Sequence, residues 1–163
     1  MSTSQAGTWE ERDWTAWAKS RLSELCCALA VTLPSGVGEL CVKKVTTCTG
    51  DATVVVVRGN PRTGFDFDVT LSCECQLGCD EERIATGTAC LPDASRSAVG
   101  AGETADGLSF SFTIDKKAKL KLAAVEEAAL KDGGKLLRQR LFDMLRQLDS
   151  EMQQKLADEL ASR

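Results

Sequence analysis

The stretch Phe65-Asp66-Phe67-Asp68-Val69-Thr70-Leu71-Ser72-Cys73-Glu74-Cys75 alternates apolar and polar side chains without a break. A period of two residues is the period of a β-strand, whose successive side chains point to opposite faces. Phe65, Phe67, Val69, Leu71, Cys73 and Cys75 therefore share a buried face, and Asp66, Asp68, Thr70, Ser72 and Glu74 a wet one.

Working outward from this strand, Leu40 to Thr47 and Thr53 to Arg58 are rich in β-branched residues and read as two more strands. Gly50-Asp51 reads as the turn between them, and Gly59-Asn60-Pro61 as the loop that follows. Downstream, Arg83 to Leu91 reads as a strand, and so does Leu108 to Asp115, where Leu108, Phe110, Phe112 and Ile114 alternate with Ser109, Ser111 and Thr113. Short connections imply an antiparallel meander of four or five strands, because parallel pairing needs long crossovers. Residues 93–107, rich in Ala, Ser and Gly, are expected to form a flexible loop too poor in apolar bulk to pack.

The two ends of the chain read as helices. Trp14, Trp17, Ala18, Leu22, Leu25 and Leu29 recur at three- and four-residue spacing. The spacing predicts a helix that starts at Thr8, with Glu11 completing a capping box and Asp13 as a later, competing cap, and that ends near Val31. Trp14 and Trp17 fall on its apolar stripe, and Trp9 is placed to fold back on the helix start. Leu33-Pro34-Ser35-Gly36 breaks the pattern. Near the other end, Leu137, Leu141, Met144, Leu145, Leu148, Met152 and Leu156 form the stripe of a long helix, with Gly133-Gly134 a point of kinking or interruption. The expected fold is α+β: an antiparallel meander sheet with an N-terminal helix and a long C-terminal helix. One domain spans residues 1–163, with an ordered core over about 9–160.

Composition narrows the function. The chain has 163 residues, 43% hydrophobic and 27% charged, and a net charge of -4, which disfavours a nucleic-acid partner because phosphate binding needs concentrated basic surface. Met1 to Trp9 lacks the basic segment and apolar run of a leader, and no stretch approaches membrane-spanning length. Histidine is absent, which removes the commonest general base and metal ligand. Gly36-Val37-Gly38 and Gly100-Ala101-Gly102 lack the continuation of a phosphate-binding loop. Asp66 and Asp68 share one face, as an acid/base pair would, but neighbouring carboxylates on a wet strand face more often serve solubility. Of the eight cysteines, Cys73, Cys75, Cys79 and Cys90 are a candidate zinc set whose spacing matches none of the common structural patterns. The competing reading makes most cysteines reduced, small apolar fillers in a cytosolic protein.

Trp9-Glu10-Glu11-Arg12-Asp13 with Trp17, Gly50-Asp51-Ala52, Arg58-Gly59, Phe65-Asp66, Leu91-Pro92 and Gly133 with Lys135-Leu136-Leu137-Arg138 lie in an order and spacing that resembles the N-terminal domain of the activators of heat shock protein 90 ATPase. The resemblance runs from Trp9 to about the end of the chain. It implies a cytoplasmic, non-enzymatic co-chaperone, monomeric alone and without a cofactor. Such a domain binds the middle segment of the chaperone and favours its ATPase-competent conformation. By similarity the partner surface includes Asp51, Arg58, Phe65 and Asp66. Where family members carry an Arg-Lys pair and a further Lys, this chain reads Val57-Arg58-Gly59-Asn60, with Arg62 close by. The Asn-rich, Trp-His-Trp start is reduced to Gly7-Thr8-Trp9, and the resemblance implies a stand-alone, single-domain type.

Overall fold

A computed structural model describes residues 9–78, 83–115 and 122–162 of the chain. Among these residues six strands form one antiparallel sheet: β1 (Trp9–Asp13), β2 (Ala30–Thr32), β3 (Gly38–Val57), β4 (Asn60–Leu77), β5 (Ile84–Ser95) and β6 (Ser111–Ile114). Their order is β1-β3-β4-β5-β6, with β2 also paired to β3. Two helices, α1 (Thr15–Cys27) and α2 (Ala124–Ala161), complete the α+β fold. Among the described residues no helix is long and apolar enough to cross a membrane.

The alternation from Phe65 to Cys75 lies within β4, where Phe65, Phe67, Val69, Leu71, Cys73 and Cys75 are all buried and Asp66 and Asp68 are exposed. The two strands expected upstream are one. β3 runs unbroken through Gly50-Asp51, which is not a turn: Gly50 pairs with Phe67 and Asp51 with Asp66. Glycine is needed here for its backbone and not for a turn, since φ is +129. A side chain at this position would also run into the Asp66 carbonyl oxygen. The actual reversal is Arg58-Gly59, between the paired Val57 and Asn60. Both residues have positive φ, +52 and +80, as a two-residue hairpin turn of type I′ requires.

The N-terminal helix is shorter than its periodicity suggests. Thr8 lies outside the described residues, and Trp9–Asp13 is an edge strand paired with Val57 to Thr53 of β3, so no helix begins there. Asp13 is the acidic residue at the helix start: its carboxylate accepts the Thr15 amide at 2.9 Å and the Thr15 hydroxyl. Trp14 N–H donates to the Ala52 carbonyl at 2.9 Å, tying the corner to β3. The helix ends at Cys27, and Val31, expected near its end, pairs instead with Leu40 as part of β2.

α1 and α2 cover one face of the sheet. Ala18, Leu22 and Cys26 from α1 join Leu137, Leu141, Leu145, Leu148 and Met152 from α2 over the inward side chains of β3, β4 and β5 in one core. Burying a side chain such as Leu145 contributes about 1.5–3 kcal/mol relative to exposure. The helices are joined to each other by Arg21 and Glu151, whose Nη2 and Oε2 lie 2.9 Å apart, and by the Lys155 ammonium, 5.0 Å from the Trp14 ring and 5.7 Å from the Trp17 ring. α2 is not interrupted at Gly133-Gly134. Both glycines are buried, and a methyl on Gly133 would collide with Leu33, so they serve close packing.

Residues 93–107 also pack more than their composition suggests. Asp93 to Ser95 complete β5, and Ser97–Val99 and Ala105–Gly107 form 3-10 turns in which Val99 and Ala105 are buried. Arg146 of α2 secures the segment by donating to the carbonyls of Val99 at 3.2 Å and Glu103 at 3.1 Å.

Candidate functional site

The face of the sheet opposite the helices is open, and the long hairpin of β3 and β4 carries its outward residues in a strip. From base to tip the cross-strand pairs are Thr49 with Asp68, Asp51 with Asp66, Thr53 with Gly64, Val55 with Arg62, and Val57 with Asn60. β1 adds Asp13 beside Thr53 and Glu11 beside Val55. At about 3.3 Å per residue, Asp51 and Val57 stand roughly 20 Å apart, and Arg58 lies beyond at the turn.

Charge varies along this strip. Asp51, Asp66 and Asp68 are exposed at its base. A β-bulge between Phe67 and Val69 leaves Pro92 and Asp93 opposite Asp68, which brings a fourth exposed carboxylate to the cluster. Above the cluster, half-buried Val55 lies between the exposed Glu11 and Arg62, and Val57, 38% exposed, ends the strand at the turn. Positive charge enters with Arg62, level with Val55, and ends with Arg58 at the turn. Charge arrangement of this kind sets orientation and partner choice at protein interfaces.

Of the residues that the sequence singles out, Asp51 and Asp66 are brought directly opposite each other on the open face. Arg58 is on the same hairpin but at its far end. Phe65 points the other way: it is 4% exposed and stacks on Phe67 at 6.3 Å between ring centroids, beneath the strip. Val55, Val57 and Glu11 carry no binding signal in the sequence, although Asp51, Thr53, Val55 and Val57 are spaced by two. Gly50-Asp51, which reads as a turn, masks that continuity.

Nothing in this strip is arranged as a catalytic site. Asp66 and Asp68 lie on an open face where no wall excludes water, and the acid/base reading gains no support from that geometry. The candidate zinc set is also divided. Cys73 and Cys75 are buried on the inward face, paired with Gly87 and Ala85, whereas Cys90 follows the buried Ala89 and precedes the buried Leu91 on the outward side. Thiols on opposite faces of one sheet do not converge on an ion; Cys79 lies outside the described residues. Burial also pushes the Cys73 and Cys75 thiols up to about 11, which disfavours the thiolate a metal needs.

The sequence profile described as "Activator of Hsp90 ATPase, N-terminal" matches residues 11–156. No curated protein sequence matches the chain. Among solved structures, the chain is similar to the crystal structure of Aha-1 from Plasmodium falciparum, with 15% identity, a TM-score of 0.67 and 93% of each chain covered. It is also similar to the solution structure of the human Aha1 N-terminal domain, with 20% identity and a TM-score of 0.54, covering 89% of this chain and 99% of that one. At these identities the structural likeness establishes the fold, and the profile, which spans most of the chain, establishes the family. The chain belongs to the family of N-terminal domains of activators of Hsp90 ATPase.

Proposed function

We propose that the protein is an Hsp90 co-chaperone that binds the middle segment of the chaperone through the outward strip of its long hairpin and so favours the ATPase-competent conformation. The family match over residues 11–156 carries this reading. The strip adds a physical argument: Asp51 and Asp66 form a like-charged pair with no cation of the chain to neutralise it among the described residues, so a partner that supplies one gains more there than elsewhere. Asp51 and Asp66 are the acidic contacts in this reading, and Val55 and Val57 the apolar centre. Arg58 provides the basic end, with Arg62 supplementing a motif that is shorter than the family pattern. Phe65 acts from beneath by fixing the register of Asp66.

The protein hydrolyses no nucleotide itself. It works in the cytoplasm, as a monomer, by changing the populations of Hsp90 conformations, which requires only that it bind one of them better. Calorimetric titration against an Hsp90 middle segment tests the partnership. Saturable heat at micromolar concentrations is expected, and absence of heat at high micromolar concentration contradicts the proposal.

A further inference from the structure

An open groove of about 760 Å³ runs between the start of β4, the turn that follows β5, and α2. Thr63 and Gly64 form one wall, Ser97 and Val99 to Ala101 the second, and Arg146, Asp149 and Ser150 the third, with Arg96 at the junction.

The charges of the groove do not cancel. Arg96 is matched to Asp149, with Nε 3.0 Å from Oδ1, and its Nη1 also reaches the Thr63 carbonyl at 3.4 Å. Arg146 has no carboxylate partner among the described residues. Its guanidinium is held instead by the carbonyls of Val99 and Glu103 and lies 4.5 Å over the Phe142 ring. Those contacts fix its direction without neutralising it, so less side-chain entropy is lost when an anion arrives. Next to it, the amides of Gly100 and Ala101 donate to no acceptor among the described residues, and the Ser150 hydroxyl makes no hydrogen bond there. An oriented cation thus lines the same groove as two backbone donors and a hydroxyl without a protein partner, groups that together can take an oxyanion.

We propose that this groove is a second protein-binding site, which takes an acidic peptide segment through carboxylates docked on Arg146 and the 100–101 backbone. The groove lies open along its length, whereas a small molecule needs enclosure over most of its surface, and this favours an extended chain. The groove meets the strip at Gly64, and its Arg146 wall belongs to α2 on the helix side. The inference stands apart from the Hsp90 reading.

The test is fluorescence anisotropy of a labelled oligoglutamate peptide at low salt, with thermal melts of every variant. Wild type should bind, more weakly as salt is added. Ser150→Glu sets a carboxylate in the groove at an exposed helix position without removing any contact of Arg146, and should weaken binding by about tenfold or more. Arg146→Gln should do the same. Backbone amide shifts confined to residues 99–101 and 150 would support the site. The proposal is overturned if oligoglutamate fails to bind wild type, or binds folded Ser150→Glu and wild type alike. Equally effective displacement by inorganic phosphate at matched ionic strength would also overturn it, since the groove would then select small anions and not an acidic chain.

Discussion

Asp51 lies directly opposite Asp66 across the β3–β4 ladder, both side chains exposed and neither joined to a lysine or arginine among the described residues. Like charges facing each other across a sheet are destabilising, and a neutral partner removes that cost. Asp66→Asn should therefore raise stability by about 0.2–1 kcal/mol, measured by urea denaturation, while weakening Hsp90 binding. Loss of stability would mean that Asp66 has a structural role instead.

A similar opposition occurs at the hairpin tip. Arg58 occupies the left-handed region at φ +52, which is unfavourable for an arginine and readily adopted by asparagine. Arg58→Asn should stabilise the hairpin by up to about 1 kcal/mol and reduce affinity for Hsp90 less than a change at Asp51 does. An unchanged affinity would remove the tip from the binding surface.

These positions show what the sequence makes legible and what it hides. The alternation from Phe65 to Cys75 reports burial directly, and it locates the central strand and its two faces. The helix stripes report burial in the same way, so Leu137 to Leu156 identifies α2. Gly50, Gly133 and Gly134 mislead because composition records only that glycine is present, whereas its use here is close approach: to the Asp66 backbone at Gly50, and to Leu33 and Phe112 at Gly133 and Gly134. The edge strands β1 and β2 are short segments flanking a helical stripe, and long-range pairing with β3 decides their conformation. The Arg146 groove has no sequence signal, since its cradle joins residues some 47 positions apart in the chain.

The packing of α2 gives a prediction opposite in sign to helix propensity. Alanine in place of glycine ordinarily stabilises a helix interior by about 1 kcal/mol. At Gly133 the added methyl meets Leu33, so Gly133→Ala should destabilise the protein in urea denaturation. Gly134→Ala, where the nearest atom is Phe112 Cδ2 at 3.2 Å, should be milder. Stabilisation by Gly133→Ala would show that the Leu33 Cδ2 methyl turns aside at little cost.

At the start of α2, Arg83 grips Glu126 through two hydrogen bonds, of 2.6 and 2.9 Å, while Glu126 also accepts the Ala123 amide. The Arg83 hydrogen bonds, followed by the Ala123 amide, hold the Glu126 carboxyl down at about 2. A carboxyl depressed on folding contributes stability that is complete above its unfolded value, about 4.5, and is lost as pH falls through the folded value, about 2. The stability difference between wild type and Glu126→Gln should be constant above that window and shrink across it. A difference that does not change with pH would show that the carboxylate charge is not what holds the helix start.

The surface assignment is tested most directly by titrating an Hsp90 middle segment with wild type and Asp51→Lys in parallel, alongside thermal melts. A lysine at this exposed strand position turns the repulsive pair with Asp66 into an attractive one, so the variant should melt at or above wild type. Toward Hsp90 the same change loses a favourable charge contact and creates a repulsive one, and affinity should fall by at least about tenfold, equivalent to about 1.4 kcal/mol. An Asp51→Lys protein that melts like wild type and binds Hsp90 with unchanged affinity would contradict the assignment of this strip as the Hsp90 surface.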